Sequence, residues 1–105
     1  QEAIDYLSDY KASDAITGAL ANGGIGDAFM QLNQSEDALD YYEKAIAANA
    51  NSFTTPLFLQ KAGVTALELN KGEKALKYFQ RIKDEFASST EANMVDVFIA
   101  MAKNK

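Results

Sequence analysis

The 105-residue chain contains no cysteine, no histidine and no tryptophan, and it has a single proline. Without cysteine, disulfide bonds and thiolate metal sites are excluded. Without histidine, the commonest general base and the commonest transition-metal ligand are missing, so carboxylates, lysine and tyrosine are what remains for acid–base chemistry. We therefore expect no metal site, no cofactor and no enzymatic activity.

Long hydrophobic runs are also missing. No apolar stretch approaches the roughly 20 residues that cross a bilayer, and no signal peptide is recognisable. A hydrophobic content of 48% with 24% charged residues predicts one folded domain. Because the sequence opens at Gln1 inside a helical pattern, we interpret it as a fragment of a longer protein that makes no direct membrane contact itself.

Charge is unevenly distributed along the chain. Residues 1–52 carry nine acidic and two basic side chains (net −7), whereas residues 53–105 carry six acidic and eight basic ones (net +2), which together make the net charge of −5. An acidic chain repels phosphate backbones at long range. Nucleic acid is therefore not an expected partner.

The chain contains an internal repeat. Residues 31–45 align with residues 68–82 at an offset of 37, and the same offset places Gly26 on Gly63. Repeats of this length are typical of stacked helical units. The six identical pairs are Leu32 with Leu69, Asn33 with Asn70, Glu36 with Glu73, Ala38 with Ala75, Leu39 with Leu76 and Tyr41 with Tyr78.

Apolar residues in both units recur at helical spacing, with no strand pattern. Asn33 and Asn70 suit a left-handed residue just past a helix end. Ser13, Thr55 and Ser88 are predicted N-caps, the last with Glu91 at capping-box spacing. The predicted helices cover about 1–10, 13–32, 35–49, 55–69, 72–86 and 89–103.

These spacings resemble the tetratricopeptide repeat family. Its pattern is a large apolar residue followed by glycine, then an aromatic, an alanine, a second aromatic and a small residue. The first unit matches with Ile25, Gly26, Phe29, Ala38, Tyr42 and Ala45. The second unit supplies Ala62, Gly63, Ala66, Ala75, Phe79 and Ile82, and so departs from the pattern at Ala66 and Ile82.

The resemblance implies an all-α, right-handed solenoid of antiparallel helical hairpins with about six helices. It divides the single domain 1–105 into a remnant of a preceding repeat (1–12), two repeats (19–52 and 56–89) and a capping helix (90–105). Met94, Phe98 and Met101 form the stripe expected to cover the last hairpin. In such a stack, Gly26 and Gly63 allow Ala38 and Ala75 to approach closely, and Gly23 is expected to pack against the 1–10 helix or to open a groove.

The same resemblance implies a groove on the inner face of the stack, suited to an apolar or helical segment of a protein partner. The carboxylate clamp that some family members carry is absent here. The predicted groove residues are Leu20, Gly23, Asp27, Met30, Gln31, Leu57, Gln60, Lys61, Val64, Leu67 and Glu68.

Two functional hypotheses follow. The first is a protein-interaction scaffold that binds a peptide or helical segment in this groove. The second is a homo-oligomer formed by stacking of the exposed solenoid ends, favoured by the opposite charges of the two halves. On the surface, cross-repeat ion pairs are predicted between Asp37 and Lys74 and between Asp40 and Lys77. A narrower resemblance to membrane-anchored bacterial proteins suggests a periplasmic location at the cell envelope, with a cytoplasmic location as the alternative.

Overall fold

In the part of the chain that the structure describes, the fold consists of five α-helices and one 3₁₀ helix. The computed structural model describes residues 2–48 and 51–104, and it describes side chains for residues 16–47 and 51–104. No strand occurs in these ranges, which confirms the all-α prediction. The helices are α1 (Glu2–Gln31), α2 (Ser35–Ala48), α3 (Thr54–Glu68), α4 (Gly72–Glu85) and α5 (Val95–Lys103), with the 3₁₀ helix Thr90–Met94 leading into α5.

Helix α1 is one continuous helix of 30 residues, so the predicted break between residues 10 and 13 is wrong. Lys11 and Ala12 are both good helix formers, and a possible N-cap at Ser13 does not by itself end the helix before it. Five helices are therefore present where six were predicted. The side chains of residues 2–15 lie outside those described, so the interpretation of residues 1–12 as a repeat remnant stays a prediction.

Both helical hairpins reverse direction through the same asparagine turn. Asn33 and Asn70 have φ values of 58° and 59°, which confirms their predicted left-handed conformation. At the first turn the Gln34 amide donates to the Phe29 carbonyl at 2.9 Å, and at the second the Lys71 amide donates to the Ala66 carbonyl at 2.8 Å. These bonds from the residue after the asparagine are those of a Schellman motif.

The amides at the starts of α3 and of the 3₁₀ helix are bound by side chains other than those predicted, Asn51 in place of Thr55 and Ser89 in place of Ser88. Asn51 Oδ1 accepts from the Thr54 amide at 2.7 Å, while Thr55 Oγ1 accepts from the Asn51 amide at 2.9 Å. The Asn51 side chain thus caps the start of α3. Thr55, which lies inside the helix, in turn accepts a hydrogen bond from the Asn51 amide. Ser89 Oγ, not that of Ser88, accepts from the Ala92 amide at 3.3 Å. In both places a side chain that precedes the helix satisfies a free amide of the helix start.

Each helix packs against its neighbour in the chain, and α1 also contacts α3. The closest approach in the first hairpin is at Gly26, where a Cβ atom would lie 2.7 Å from the Tyr42 ring and 3.2 Å from the Ala38 carbonyl oxygen. At Gly63 a Cβ atom would lie 2.5 Å from the Phe79 ring. The predicted close helix contact is confirmed at both glycines, but the nearest atoms are those of an aromatic ring, and an alanine is among them only at Gly26, where it is Ala38.

The two rings act as wedges between consecutive hairpins, and we call Tyr42 the first wedge and Phe79 the second. Tyr42 contacts Gly26 on one side and stacks on Phe58 on the other, with ring centroids 6.3 Å apart. Phe79 contacts Gly63 and stacks on Phe98 at 4.9 Å. The sequence repeat is therefore also a repeat of three-dimensional contacts.

Helix α5 covers the second hairpin, although with a different stripe from the one predicted. Val95, Ile99 and Ala102 are buried, and Phe98 stacks on Phe79. Met94 and Met101, which were predicted to belong to the covering stripe, are exposed instead. The residues before α5 form a 3₁₀ helix with three residues per turn, which shifts the face that meets α4.

Candidate partner-binding groove

A groove of about 380 Å³ lies between α1 and α3, with a ring of α2 at its base. Helix α1 contributes Asp27 and Met30, and α2 contributes the edge of Tyr42. Six of the eleven predicted groove residues meet here: Asp27, Met30, Leu57, Gln60, Lys61 and Val64. The structure adds Tyr42 and Thr65 to the lining.

An ion pair crosses the groove. Lys61 Nζ on α3 lies 2.9 Å from each carboxylate oxygen of Asp27 on α1, and both side chains are partly exposed. The Tyr42 hydroxyl donates to Asp27 Oδ1 at 2.5 Å from the third helix. Because one carboxylate binds groups from two other helices, it fixes the relative positions of α1, α2 and α3 at the base of the groove.

The tyrosine of this cluster is held in its protonated form. Burial raises the pKa of Tyr42 above its ordinary value of 10.0, and the hydrogen bond to Asp27, the charge of Asp27 and the charge of Glu68 raise it further. At neutral pH the phenol is consequently a hydrogen-bond donor. Its raised pKa is the opposite of what a tyrosinate base would require.

The walls of the groove on both sides of the ion pair are aliphatic. Met30 stands on the α1 side, while Leu57 and Val64 stand on the α3 side. The hydroxyl of Thr65 donates to the Lys61 carbonyl at 2.7 Å, so its polar atom is satisfied within α3. A surface with this composition offers apolar contact along its length and charge at a single point.

Two predicted groove residues belong to the core instead. A Cβ atom on Gly23 would lie 2.1 Å from the Phe58 ring, so Gly23 is covered by α3 and does not line the groove. Its close neighbour is Phe58 on α3, which corrects both earlier expectations for this glycine. Leu67 is only 5% exposed and packs inside the helical layer.

The three remaining predicted residues, Leu20, Gln31 and Glu68, are exposed and lie outside the groove lining. Phe53, which the sequence analysis did not select, is 84% exposed and lies immediately before the start of α3.

Sequence reasoning missed Tyr42 and Thr65 for different reasons. Tyr42 occupies a position at which the repeat pattern predicts a packing ring, and nothing in the pattern distinguishes a tyrosine whose hydroxyl reaches Asp27. Thr65 belongs to no position of the repeat pattern, and the sequence analysis did not select it. The signal that was available was the tyrosine itself, because the equivalent position of the second unit is Phe79.

A second tyrosine–carboxylate–lysine cluster lies between α2 and α4. Lys74 Nζ is 3.0 Å from Glu43 Oε2, and the Tyr78 hydroxyl donates to the same oxygen. The predicted pairing of Lys74 with Asp37 is therefore wrong. Burial, followed by this hydrogen bond, raises the pKa of Tyr78 above its ordinary value. The cluster ties the second helices of the two hairpins together.

Within the described side chains, no group of three or more acidic residues is arranged to hold a metal ion. Among the described residues, no helix is both long enough and apolar enough to cross a membrane.

Comparisons with protein-family models, with curated proteins and with solved structures found no match to this chain.

Proposed function

We propose that this protein is a non-enzymatic interaction scaffold that binds an apolar, extended or helical segment of another protein in the groove between α1 and α3. The observation that carries the proposal is the lining of the groove, where aliphatic side chains of two helices flank a single ion pair. Apolar walls supply affinity to a helix or extended segment, and a few polar groups fix its orientation.

The proposal includes a tetratricopeptide-like, right-handed solenoid as the frame of the groove. It is supported by the repeated glycine and wedge contacts and by the two identical asparagine turns. In such a frame the first helices of the hairpins, α1 and α3, line the inner face. The groove lies between these two helices.

A catalytic role is less well supported than binding. The one cluster of potential acid–base groups in the groove is Asp27, Tyr42 and Lys61, and each group already contacts another member. The pKa of Tyr42 is raised, so the phenol stays protonated at neutral pH. The cluster therefore serves best as a structural tie with one charged edge open to a bound segment.

A displayed library of random 12-residue peptides tests the proposal without knowledge of the natural partner. We expect selection on the wild-type chain to enrich peptides rich in apolar residues. Val64→Glu places a charge on the aliphatic wall and should weaken binding of the enriched peptides at least about tenfold, which corresponds to about 1.4 kcal/mol.

Ala47→Glu is the matched control, because Ala47 is exposed on α2 and lies outside the groove lining. It introduces the same charge and should leave peptide binding unchanged. Circular dichroism and thermal unfolding establish that both variants fold. The proposal fails if no peptide is enriched, or if the enriched peptides bind Val64→Glu as tightly as they bind the wild-type chain.

A further inference from the structure

Helix α1 carries an apolar stripe on the side that faces away from its packed surface. Its members recur at intervals of three and four residues, which places them on one side of the helix. Ile25 is 41% exposed and Leu32 is 63% exposed, and a Cβ atom on Gly18 would meet no atom within 4 Å. The outer stripe of α1 consists of Gly18, Ala21, Ile25 and Ala28, and Leu32 continues it immediately after the end of the helix.

The internal repeat shows what kind of surface this stripe is. At the offset of 37, its first four positions correspond to Thr55, Phe58, Ala62 and Thr65 on α3, and all four are buried. Phe58 packs on Gly23 and Tyr42, and Thr65 Oγ1 lies 3.7 Å from Met30 Sδ. On α3 this face is therefore where the preceding hairpin packs. On α1 the same face is open.

The opposite end of the helical layer carries a second open stripe. Met94, Val97 and Met101 project from one side of the last helical segment and are 52%, 54% and 46% exposed. We call these three residues the outer stripe of α5. Their spacing of three and four residues matches the spacing on α1, so each stripe has the form of one side of a helix–helix contact.

We propose that the outer stripe of α1 packs against the outer stripe of α5 from a second copy of the chain, head to tail. Shape favours this pairing, because Gly18, Ala21 and Ala28 leave space that methionine and valine side chains can fill. The proposal goes beyond the groove function and does not depend on it.

Charge selects the same orientation. The half of the chain that contains α1 has a net charge of −7, and the half that contains α5 has a net charge of +2. Two α1 ends, both in the acidic half, repel each other, whereas the half that contains α5 does not repel an α1 end; most of its basic residues lie on and between α3 and α4, and residues 90–104 carry Glu91, Asp96 and Lys103. A contact between two α1 stripes is disfavoured for this reason, even though both are apolar.

The contact is heterologous, so it leaves a free stripe at each end of every dimer. Such contacts produce rings or open chains in place of a closed dimer. One helix face against another buries less than the roughly 1,200 Å² of a stable interface, so association is weak and becomes visible at high protein concentration.

Sedimentation equilibrium tests the proposal. The protein concentration is varied from about 10 µM to about 1 mM, a range that includes the dissociation constants of weak interfaces. We expect the average mass of the wild-type chain to rise continuously past that of a dimer. Ile25→Glu destroys the α1 stripe, and Val97→Glu destroys the α5 stripe. Each variant alone should remain monomeric across the range.

An equimolar mixture of the two variants is the decisive sample. Ile25→Glu retains an intact α5 stripe and Val97→Glu retains an intact α1 stripe, so the mixture should form a one-to-one complex that grows no further. Val64→Glu, in the groove, should associate like the wild-type chain, which separates this contact from peptide binding. Ala47→Glu serves as the control for added charge.

Several results would overturn the proposal. A wild-type chain that is monomeric at about 1 mM would show that the stripes do not bind a second copy and would leave them to a different partner. Loss of association in Ile25→Glu but not in Val97→Glu would indicate a symmetric contact between α1 helices. A mixture that stays monomeric would exclude head-to-tail packing directly.

Discussion

The two wedges have the same packing but different chemistry. Tyr42 and Phe79 each contact a glycine of the preceding helix and stack on a phenylalanine of the following one. In the first unit the Tyr42 hydroxyl reaches Asp27, and at the equivalent positions of the second unit the pair is Phe79 and Val64. A polar pair and an apolar pair thus occupy equivalent sites in the repeat.

This difference separates what holds the hairpins together from what the groove displays. Glycine, ring and phenylalanine are common to both units, so they account for the packing. The carboxylate and hydroxyl occur in the first unit alone, where they place a charge at the base of the groove. The packing of ring against glycine therefore explains how the helices fit together. The pair of Tyr42 and Asp27, which takes the place of Phe79 and Val64, explains why the groove carries a charge.

The largest expected effects come from filling the space beside the wedges. Gly26→Ala and Gly63→Ala each place a methyl group against a buried ring, and we expect each to lower the free energy of unfolding by about 1–3 kcal/mol, with better helix propensity offsetting part of the loss. Urea denaturation measures the change. Similar losses at both sites would support equal packing of the two wedges.

Gly24→Ala is the internal control for this pair. A Cβ atom on Gly24 meets nothing within 4 Å, and the residue is exposed in the same helix as Gly26. The substitution should stabilise the protein by up to about 1 kcal/mol through helix propensity alone. If Gly26→Ala and Gly63→Ala also stabilised the chain, the wedge contacts would not limit the packing.

A second prediction converts the first unit into the second. Tyr42→Phe should destabilise the protein by about 0.5–1.5 kcal/mol, because Asp27 keeps its ion pair with Lys61. Asp27→Val should destabilise it by about 1–3 kcal/mol, because the hydroxyl of the largely buried Tyr42 loses its partner. The double variant restores the apolar pairing of the second unit.

We expect the double variant to lose less than the sum of the single losses, by about 1 kcal/mol, since the two residues contact each other directly. The measurement is a double-mutant cycle in urea at neutral pH. Strict additivity would mean that the hydroxyl and the carboxylate are energetically independent despite the distance of 2.5 Å between them.

The last effect is a dependence of stability on alkaline pH, and it is absent at neutral pH. The folded chain retains protons on Tyr42 and Tyr78, whose pKa values are raised, while the unfolded chain loses them above their ordinary value of 10.0. Stability should therefore be unaffected by these groups below about pH 10 and should fall above it, by at most about 1.4 kcal/mol per pH unit for each tyrosine.

Thermal or urea unfolding between pH 9 and pH 11 measures this slope. Tyr42→Phe should make the decline shallower. Tyr41→Phe is the control, because it removes a hydroxyl that donates to no carboxylate in the described part of the chain. An equally steep decline in Tyr42→Phe and in the wild-type chain would contradict the assignment.

The contacts that could be predicted from the sequence are those that occur in both repeat units. Gly26 and Gly63 meet the following helix as expected, and Asn33 and Asn70 adopt positive φ, because each pair occupies equivalent positions with the same local requirement. Six of the residues predicted for the groove line one groove in the structure, since residues three and four apart on two neighbouring helices share a face.

The predictions that were wrong concern features that the local sequence pattern does not determine: which residue caps a helix, which carboxylate a lysine pairs with, and how a helix is rotated about its axis. A serine such as Ser88 marks a possible helix start, but the neighbouring Ser89 satisfies the amide equally well. Lys74 reaches Glu43 because a long side chain can choose among several carboxylates on the adjacent helix. Leu67 faces the core because the rotation of α3 is set by Phe58 and the wedges, which act through tertiary contacts.

The asparagine turns also bear on how quickly the chain folds. At each turn the chain changes direction at one asparagine, and backbone hydrogen bonds between residues a few positions apart hold the turn. A helical hairpin can therefore form before residues that are distant in sequence come into contact. Most interhelical contacts then join helices that are consecutive in the chain. Proteins whose contacts join residues that are close in sequence fold rapidly, because forming each contact costs little loop-closure entropy.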